Sequence, residues 1–287
     1  MKSILITGSE GQLGSELKLI SRKYADLEYI FTDIEEMDIS SSSSIESFIK
    51  QKKIDFIINC ASYTAVDKAE EEPEKALMIN AKAIEHLLKL ARQNEAYLIH
   101  ISTDYVFNGK NHRPYNENDA TNPISVYGST KLTGEKILYA YNQALIIRTS
   151  WLYSSFGKNF VKTILKYGSE RSELKVVCDQ IGTPTYAFDL AQTIMKIIES
   201  IVIKKINNPQ GIYHYSNEGV CSWYDFALEI IASKKLSCKV IPVETKDYPT
   251  LAQRPFYSVL NKFKIKETFG ISIPHWKESL LNCVAKL

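Results

Sequence analysis

KSILITGSEGQLGSELKLISRK, residues 2–23, decides the fold. KSILIT (2–7) is a short apolar run of strand length. GQLGSELKLISRK continues as a helix with Leu13, Leu17 and Ile20 on one face. Between them lies TGSEGQLG (7–14), with glycines at Gly8, Gly11 and Gly14. Three glycines at a strand-to-helix junction allow a tight turn, close approach of backbone to a pyrophosphate, and close helix–strand packing. Phosphate oxygens would meet free N–H groups and the positive end of the helix dipole. The spacing is GxxGxxG rather than GxGxxG. A turn merely rich in glycine is the ordinary alternative. Asp33 weighs against it, since it ends the next strand, YIFT (29–32), where a carboxylate can accept from an adenosine ribose diol. Asp33 also repels a 2′-phosphate, which leans towards NAD. Arg22 and Lys23 are the basic side chains that could lie close to that strand end.

The same rhythm continues to residue 150. SSSSIESFIKQK (41–52) reads as a helix, DFIIN (55–59) as a strand, and EKALMINAKAIEHLLKLARQN (74–94) as a long helix. YLIHIS (97–102), SVYGSTKLTGEKILYAY (125–141) and ALIIRTS (144–150) follow as strand, helix and strand. Uniformly apolar strands alternating with helices predict parallel strands joined by crossovers, both faces covered. Beyond 150 the pattern loosens. Helices are expected over 159–168 and 187–201 and a strand over 174–179, followed by Pro- and aromatic-rich segments. The expected division is residues 1–150 plus about 172–205 for a dinucleotide-binding domain, and 151–171 plus about 206–287 for a smaller mixed α/β substrate-binding region.

Bulk properties exclude several classes. The 287 residues are 45% hydrophobic and 24% charged, with 35 basic against 33 acidic side chains. That profile is globular and offers no broad basic field for nucleic acid. No run is long enough to span a bilayer and the N-terminus lacks a signal-peptide apolar region, so neither membrane nor secretion is expected. Cys60, Cys178, Cys221, Cys238 and Cys283 are scattered without a CxxC pair, which predicts reduced thiols and a cytoplasmic protein. The five histidines lack ligand spacing, so no metal site is expected. Tyr127 and Lys131 stand one helical turn apart, a pairing that by itself is commonly accidental.

Together the pieces resemble a family. The glycine turn, Asn59-Cys60-Ala61, Ser102-Thr103-Asp104 and Tyr127-x-x-x-Lys131 are similar to the extended short-chain dehydrogenase/reductases. YTAVDKAE (63–70), STDYVFNG (102–109), VYGSTKLTGE (126–135), RTSWLY (148–153), DQIGTPTYA (179–187), GIYH (211–214) and RPFYSVLN (254–261) narrow it to the branch of the dTDP-4-dehydrorhamnose reductases. The resemblance implies a Rossmann-type doubly wound sheet, NADPH or NADH as cofactor, and reduction of a nucleotide-linked 4-keto sugar. The expected alternatives are a sister reductase for another such sugar and a non-catalytic protein of the same fold. It further implies Tyr127 as proton donor, Lys131 as the ammonium that lowers the tyrosine pKa and holds the nicotinamide ribose, and Thr103 as hydrogen-bond donor to the carbonyl. Gly8, Gly11, Gln12, Leu13, Gly14, Asp33, Asp38, Ile39, Cys60, Ala61, Tyr63 and Asn80 are implied on the cofactor side. Thr64, Val66, Asp104, Tyr105 and Trp151 would line the sugar pocket. Asn159, Gln180 and Arg254 would face the diphosphate, and Tyr186 and Phe256 the thymine. Some relatives bind magnesium between subunits through acidic residues. Glu16 keeps one of these, but Phe188 then Asp189 stand where a second would fall, so no obligatory metal is expected. The resemblance leaves a homodimer open.

Overall fold

A computed structural model describes residues 1–50, 52–203, 206 and 209–287. The elements in chain order are β1 (Lys2–Thr7), α1 (Gln12–Ser21), β2 (Leu27–Thr32), α2 (Ser42–Ile49), β3 (Phe56–Asn59) and α3 (Val66–Glu71). Next, α4 (Pro73–Leu77) passes through one π-helical turn, Met78–Lys82, into α5 (Ala83–Asn94). Then come β4 (Tyr97–Thr103), α6 (Val126–Leu138), β5 (Ala144–Thr149), β6 (Leu152–Tyr153), α7 (Phe160–Glu170), β7 (Glu173–Val177), β8 (Ile181–Gly182), β9 (Thr185–Tyr186) and α8 (Ala187–Val202). The chain ends with β10 (Gly211–His214), β11 (Cys221–Ser222), α9 (Trp223–Ser233), β12 (Lys239–Val243), α10 (Phe263–Phe269) and α11 (Trp276–Val284).

Six strands form the main sheet in the order β10-β5-β4-β3-β1-β2, every pairing parallel. Parallel pairing follows from the crossover helices and explains why β3 and β5 are buried along their whole length. Leu13, Leu17 and Ile20 of α1 pack with α8 and α10 on one face. The other face is covered by α2, α5 and α6 around Leu5, Ile57, Leu98 and Ile146. The sheet order reverses at β1, between β2 and β3. In open α/β sheets the crevice outside the carboxyl ends of the strands at such a reversal receives the ligand.

The doubly wound Rossmann-type sheet is as the alternation requires, but two strands fall on the other side of the expected division. β7 pairs with β12 away from the main sheet and packs with α7, α9 and α11 around Phe226 and Leu280. β10 instead joins the main sheet beside β5. The reason lies in burial. Tyr213 and His214 of β10 are both buried, whereas β7 alternates exposed and buried residues, as in a half-covered strand. The expected boundary near 205 lies outside the described residues, as does position 51 of the expected helix 41–52. The described part of that helix ends at Ile49.

Candidate active site

The glycine turn sits at the carboxyl end of β1. Gly8 has φ 64, and a β-carbon there would stand 2.6 Å from the Ala61 nitrogen just past β3. A β-carbon on Gly14 would stand 2.3 Å from the Gly8 carbonyl oxygen. The turn can therefore close only with glycine at both places. Gly11 is the N-cap of α1 and supplies no side-chain cap. The first N–H groups of the helix stay free, which is what a phosphate needs. A nicotinamide dinucleotide fits this cradle.

Asp33 stands beside the turn, but its carboxylate is already engaged. It accepts the Glu10 amide at 2.9 Å and the Ile34 amide at 2.8 Å. It therefore ties the glycine turn to the end of β2 and keeps lone pairs for a ribose. Arg22 is the C-cap of α1, at the opposite end of the helix from the turn, so it and Lys23 do not reach the Asp33 end. Asp38 and Ile39 follow. Asp38 accepts the Ser40 amide and hydroxyl, and Ile39 is buried with its carbonyl against His86.

Thr103 ends β4 and Asp104 follows it, next in the sheet to β3, which Cys60 and Ala61 follow. Tyr127 comes from the first turn of α6, which Ser125 caps by accepting the Gly128 amide at 3.1 Å. Lys131 lies one turn further, 2% exposed, and donates to the Ile101 carbonyl at 2.6 Å. That bond anchors the ammonium to β4 and leaves two N–H donors for a ligand. Burial holds the Lys131 pKa down to about 8, against the raising effect of Glu135 and Cys60. Burial also raises the Cys60 thiol to about 12, so it is neutral.

The expectation that Lys131 lowers the Tyr127 pKa is corrected. Burial raises the Tyr127 phenol, Asp104 and Tyr105 add to the rise, and the Thr103 hydroxyl only partly opposes it. The phenol is thus held protonated, the form a proton donor needs. Tyr105 meets it edge-on at 5.5 Å.

Asn80 is not a helix-surface asparagine. It is 1% exposed in the π-turn. Its Oδ1 accepts from the Ser62 hydroxyl and the Tyr63 amide, and its Nδ2 donates to the Tyr63 carbonyl and Thr130 Oγ1. One side chain braces the loop after β3 against α6. Tyr63 is further held through its hydroxyl by Glu72, and Thr64 stands exposed beside the half-buried Val66.

This assembly has known counterparts. The family described as the RmlD substrate binding domain matches residues 1–287. The chain belongs to that family. The dTDP-4-dehydrorhamnose reductase of Aggregatibacter actinomycetemcomitans is 40% identical over 289 residues, covering 98% of each chain. The crystal structure of a Clostridium acetobutylicum dTDP-4-dehydrorhamnose reductase matches with TM-score 0.93 at 42% identity, over 99% of this chain and 98% of that one. The Bacillus anthracis dTDP-4-dehydrorhamnose reductase, solved in complex with NADP, matches with TM-score 0.94 at 36% identity over the whole of both chains.

The residues expected on the substrate side of this RmlD family member are placed less uniformly. Trp151 has φ 48, lies over Gly182 and stacks on Trp223 at 3.6 Å. Arg254 is held by Asp67, with Nη1 3.4 Å from the Tyr105 hydroxyl. Gln180 is buried and donates to Thr245 Oγ1. Asn159 caps α7 and donates to Gln12 Oε1 of the glycine turn at 3.0 Å, so it supports the turn. Tyr186 cannot stack on a base. It is 1% exposed and stacks on Tyr153 inside the second core, because β9 points it inward. Phe256 remains exposed. Glu16 is buried, accepts the Ser154 hydroxyl, and has its pKa raised by desolvation. Among the described residues no group of three His, Cys, Asp or Glu is placed to hold a metal, and no helix is long and apolar enough to cross a membrane.

Asp67, Trp223 and Glu135 went unassigned in the sequence. Asp67 and Glu135 lie inside the quoted motifs YTAVDKAE and VYGSTKLTGE. The signal for Glu135 was Arg148, a charge inside the apolar strand ALIIRT that needs a buried partner.

Proposed function

We propose that this chain reduces the 4-keto group of dTDP-4-dehydro-L-rhamnose to give dTDP-L-rhamnose, with NADPH or NADH, in the supply of deoxysugar for polysaccharide. One observation carries the reading. The Thr103 hydroxyl at the end of β4 faces the Tyr127 phenol, Lys131 one turn further along α6 is tied to the same strand, and the helix after the glycine turn is left uncapped.

Gly8, Gly11, Gly14 and Asp33 would hold the dinucleotide, which would supply the hydride when bound. The chain supplies the rest. Tyr127, kept protonated by burial, gives its proton to the keto oxygen as that oxygen becomes an alcohol. Thr103 shares the developing charge. Lys131 carries its own positive charge into a buried site and would hold the nicotinamide ribose, which would supply orientation. Arg254 is the side chain on the substrate side suited to a diphosphate, being planar and bidentate. The five thiols are unpaired, which supports a cytoplasmic location.

The test is nicotinamide oxidation with enzymatically prepared dTDP-4-keto-6-deoxy sugar. The reading requires turnover on that substrate and stereospecific formation of the rhamnose product. Turnover only on a different nucleotide sugar would move the chain to a sister specificity.

A further inference from the structure

The catalytic edge holds an ionisable group that the chemistry above does not use. Asp104 follows Thr103 at the end of β4 and is 1% exposed. Its Oδ1 is 3.0 Å from the Thr103 hydroxyl, and its Oδ2 is buried without a hydrogen-bond partner. What faces the carboxyl is neutral. The Ser258 hydroxyl, from the C-terminal segment, and the Asp104 and Tyr105 amides each favour the ionised carboxylate, but burial outweighs them. The phenols of Tyr105 and of Tyr127 on α6 face the same carboxyl. The Tyr105 hydroxyl in turn lies 3.4 Å from Nη1 of Arg254, which is paired with Asp67.

A hydroxyl has one proton to donate and two lone pairs. Thr103 Oγ1 already accepts the Tyr105 amide at 3.2 Å. If Asp104 is ionised, its carboxylate only accepts and draws the single Thr103 proton to Oδ1, in competition with the Tyr127 phenol oxygen that Thr103 also faces. Thr103 then offers a substrate oxygen nothing but a lone pair. If Asp104 is neutral, its O–H can donate to the second lone pair of Thr103, and the threonine proton turns outward. Resting on the reductase reading of this site, we propose that Asp104 is a positioning residue whose neutral form converts the Thr103 hydroxyl into a hydrogen-bond donor for the keto oxygen. The ionised form withholds that donor.

Burial brings the switch into reach of ordinary pH, raising the Asp104 carboxyl to about 6. Bound substrate accepts from Thr103 and so favours the neutral form further. The limb in kcat should therefore lie at higher pH than the limb in kcat/KM, since the first reports the complex and the second the free enzyme.

The experiment compares pH profiles of Asp104→Asn and the parent chain. Asparagine donates to Thr103 at every pH. With a carboxyl titrating near 6, kcat/KM of the parent should fall roughly twentyfold between pH 5.5 and 7.5, and the variant should lose most of that dependence. Parallel profiles in the two proteins overturn the proposal while leaving the reductase reading intact. Absence of turnover in the parent on every nucleotide-linked 4-keto sugar overturns the reductase reading instead. A second measurement needs no turnover. In protein labelled with aspartate carboxyl ¹³C, the resonance missing from Asp104→Asn should titrate near 6. A midpoint at the ordinary aspartate value, about 4, overturns the proposal by itself.

Discussion

Arg254 closes on Asp67 at 2.5 Å, across 187 positions of sequence, and so joins the C-terminal segment to the start of α3. The Asp67 carboxylate also accepts the Ala252 amide at 3.1 Å. Arg254 stands one ring, Tyr105, away from Tyr127. The Asp67 side chain is 42% exposed, so the pair contributes little to stability, on the order of 1 kcal/mol or less. Arg254→Ala should therefore melt close to the parent while its KM for the nucleotide sugar rises roughly tenfold to a hundredfold, the worth of a charge-assisted contact. Cofactor affinity should not change. Steady-state kinetics beside a thermal melt decides the matter, because an unchanged substrate KM would leave Arg254 as a loop anchor only.

Tyr127→Phe removes the transferable proton and little else. Turnover should drop by about a hundredfold to ten-thousandfold, with dinucleotide binding retained. Equilibrium binding by cofactor fluorescence, alongside the assay, separates a lost proton donor from a damaged cofactor site. Activity within tenfold of the parent would remove Tyr127 from its role.

Lys131 gives activity and stability opposite slopes in alkali. Its native pKa is held near 8 by burial, below the ordinary lysine value, so the ammonium is lost as pH rises through 8 and kcat should fall. Between that value and about 10.4 the unfolded chain binds the extra proton, so this residue's contribution to stability rises with pH in the same window. A pH–rate profile and a pH series of melts on the parent and Lys131→Met test both signs. A rate limb above pH 8 that persists in any residual activity of the variant would belong to another group.

Gly14→Ala places a methyl against the Gly8 carbonyl oxygen, a contact no real β-carbon makes. The glycine turn must shift. Dinucleotide affinity should weaken and the melting temperature fall together, whereas a variant that bound cofactor normally would show that the turn can relax.

Glu135→Gln leaves the buried Arg148 guanidinium without its counter-charge. Arg148 makes two hydrogen bonds to Glu135, at 2.9 and 2.7 Å, and both side chains are at most 1% exposed. Removing one partner of such a pair costs about 3–5 kcal/mol, which denaturant titration would read directly. A loss below about 1 kcal/mol would mean that water reaches the site.

The main sheet was legible because its signal is redundant. Strand, turn and helix repeat, and each apolar run agrees with its neighbours. Tyr127, Lys131 and Thr103 could be proposed from the sequence because each sits at a fixed offset in a local element, a helix turn or a strand end. What was not legible depended on distant pairing. Nothing local to β7 says that it pairs with β12, and nothing local to Arg254 names Asp67. Tyr186 shows the same limit, since which way a two-residue strand points its ring is decided by the core it meets. The direction of the Tyr127 shift was misread for another reason. Spacing gave the distance to Lys131 but not the burial that outweighs it.

β10 has a consequence for how the chain is made. It is the sixth strand of the main sheet, yet it begins 62 residues after its partner β5 ends, at Gly211 after Thr149. During synthesis from the N-terminus, five strands with all their crossover helices through α6 exist before this edge can be covered. For that interval β5 presents a row of unpaired amides and carbonyls on a fully buried, apolar strand. A stalled or truncated product ending before His214 therefore has an open, adhesive border. Its fate is self-association rather than a smaller folded enzyme.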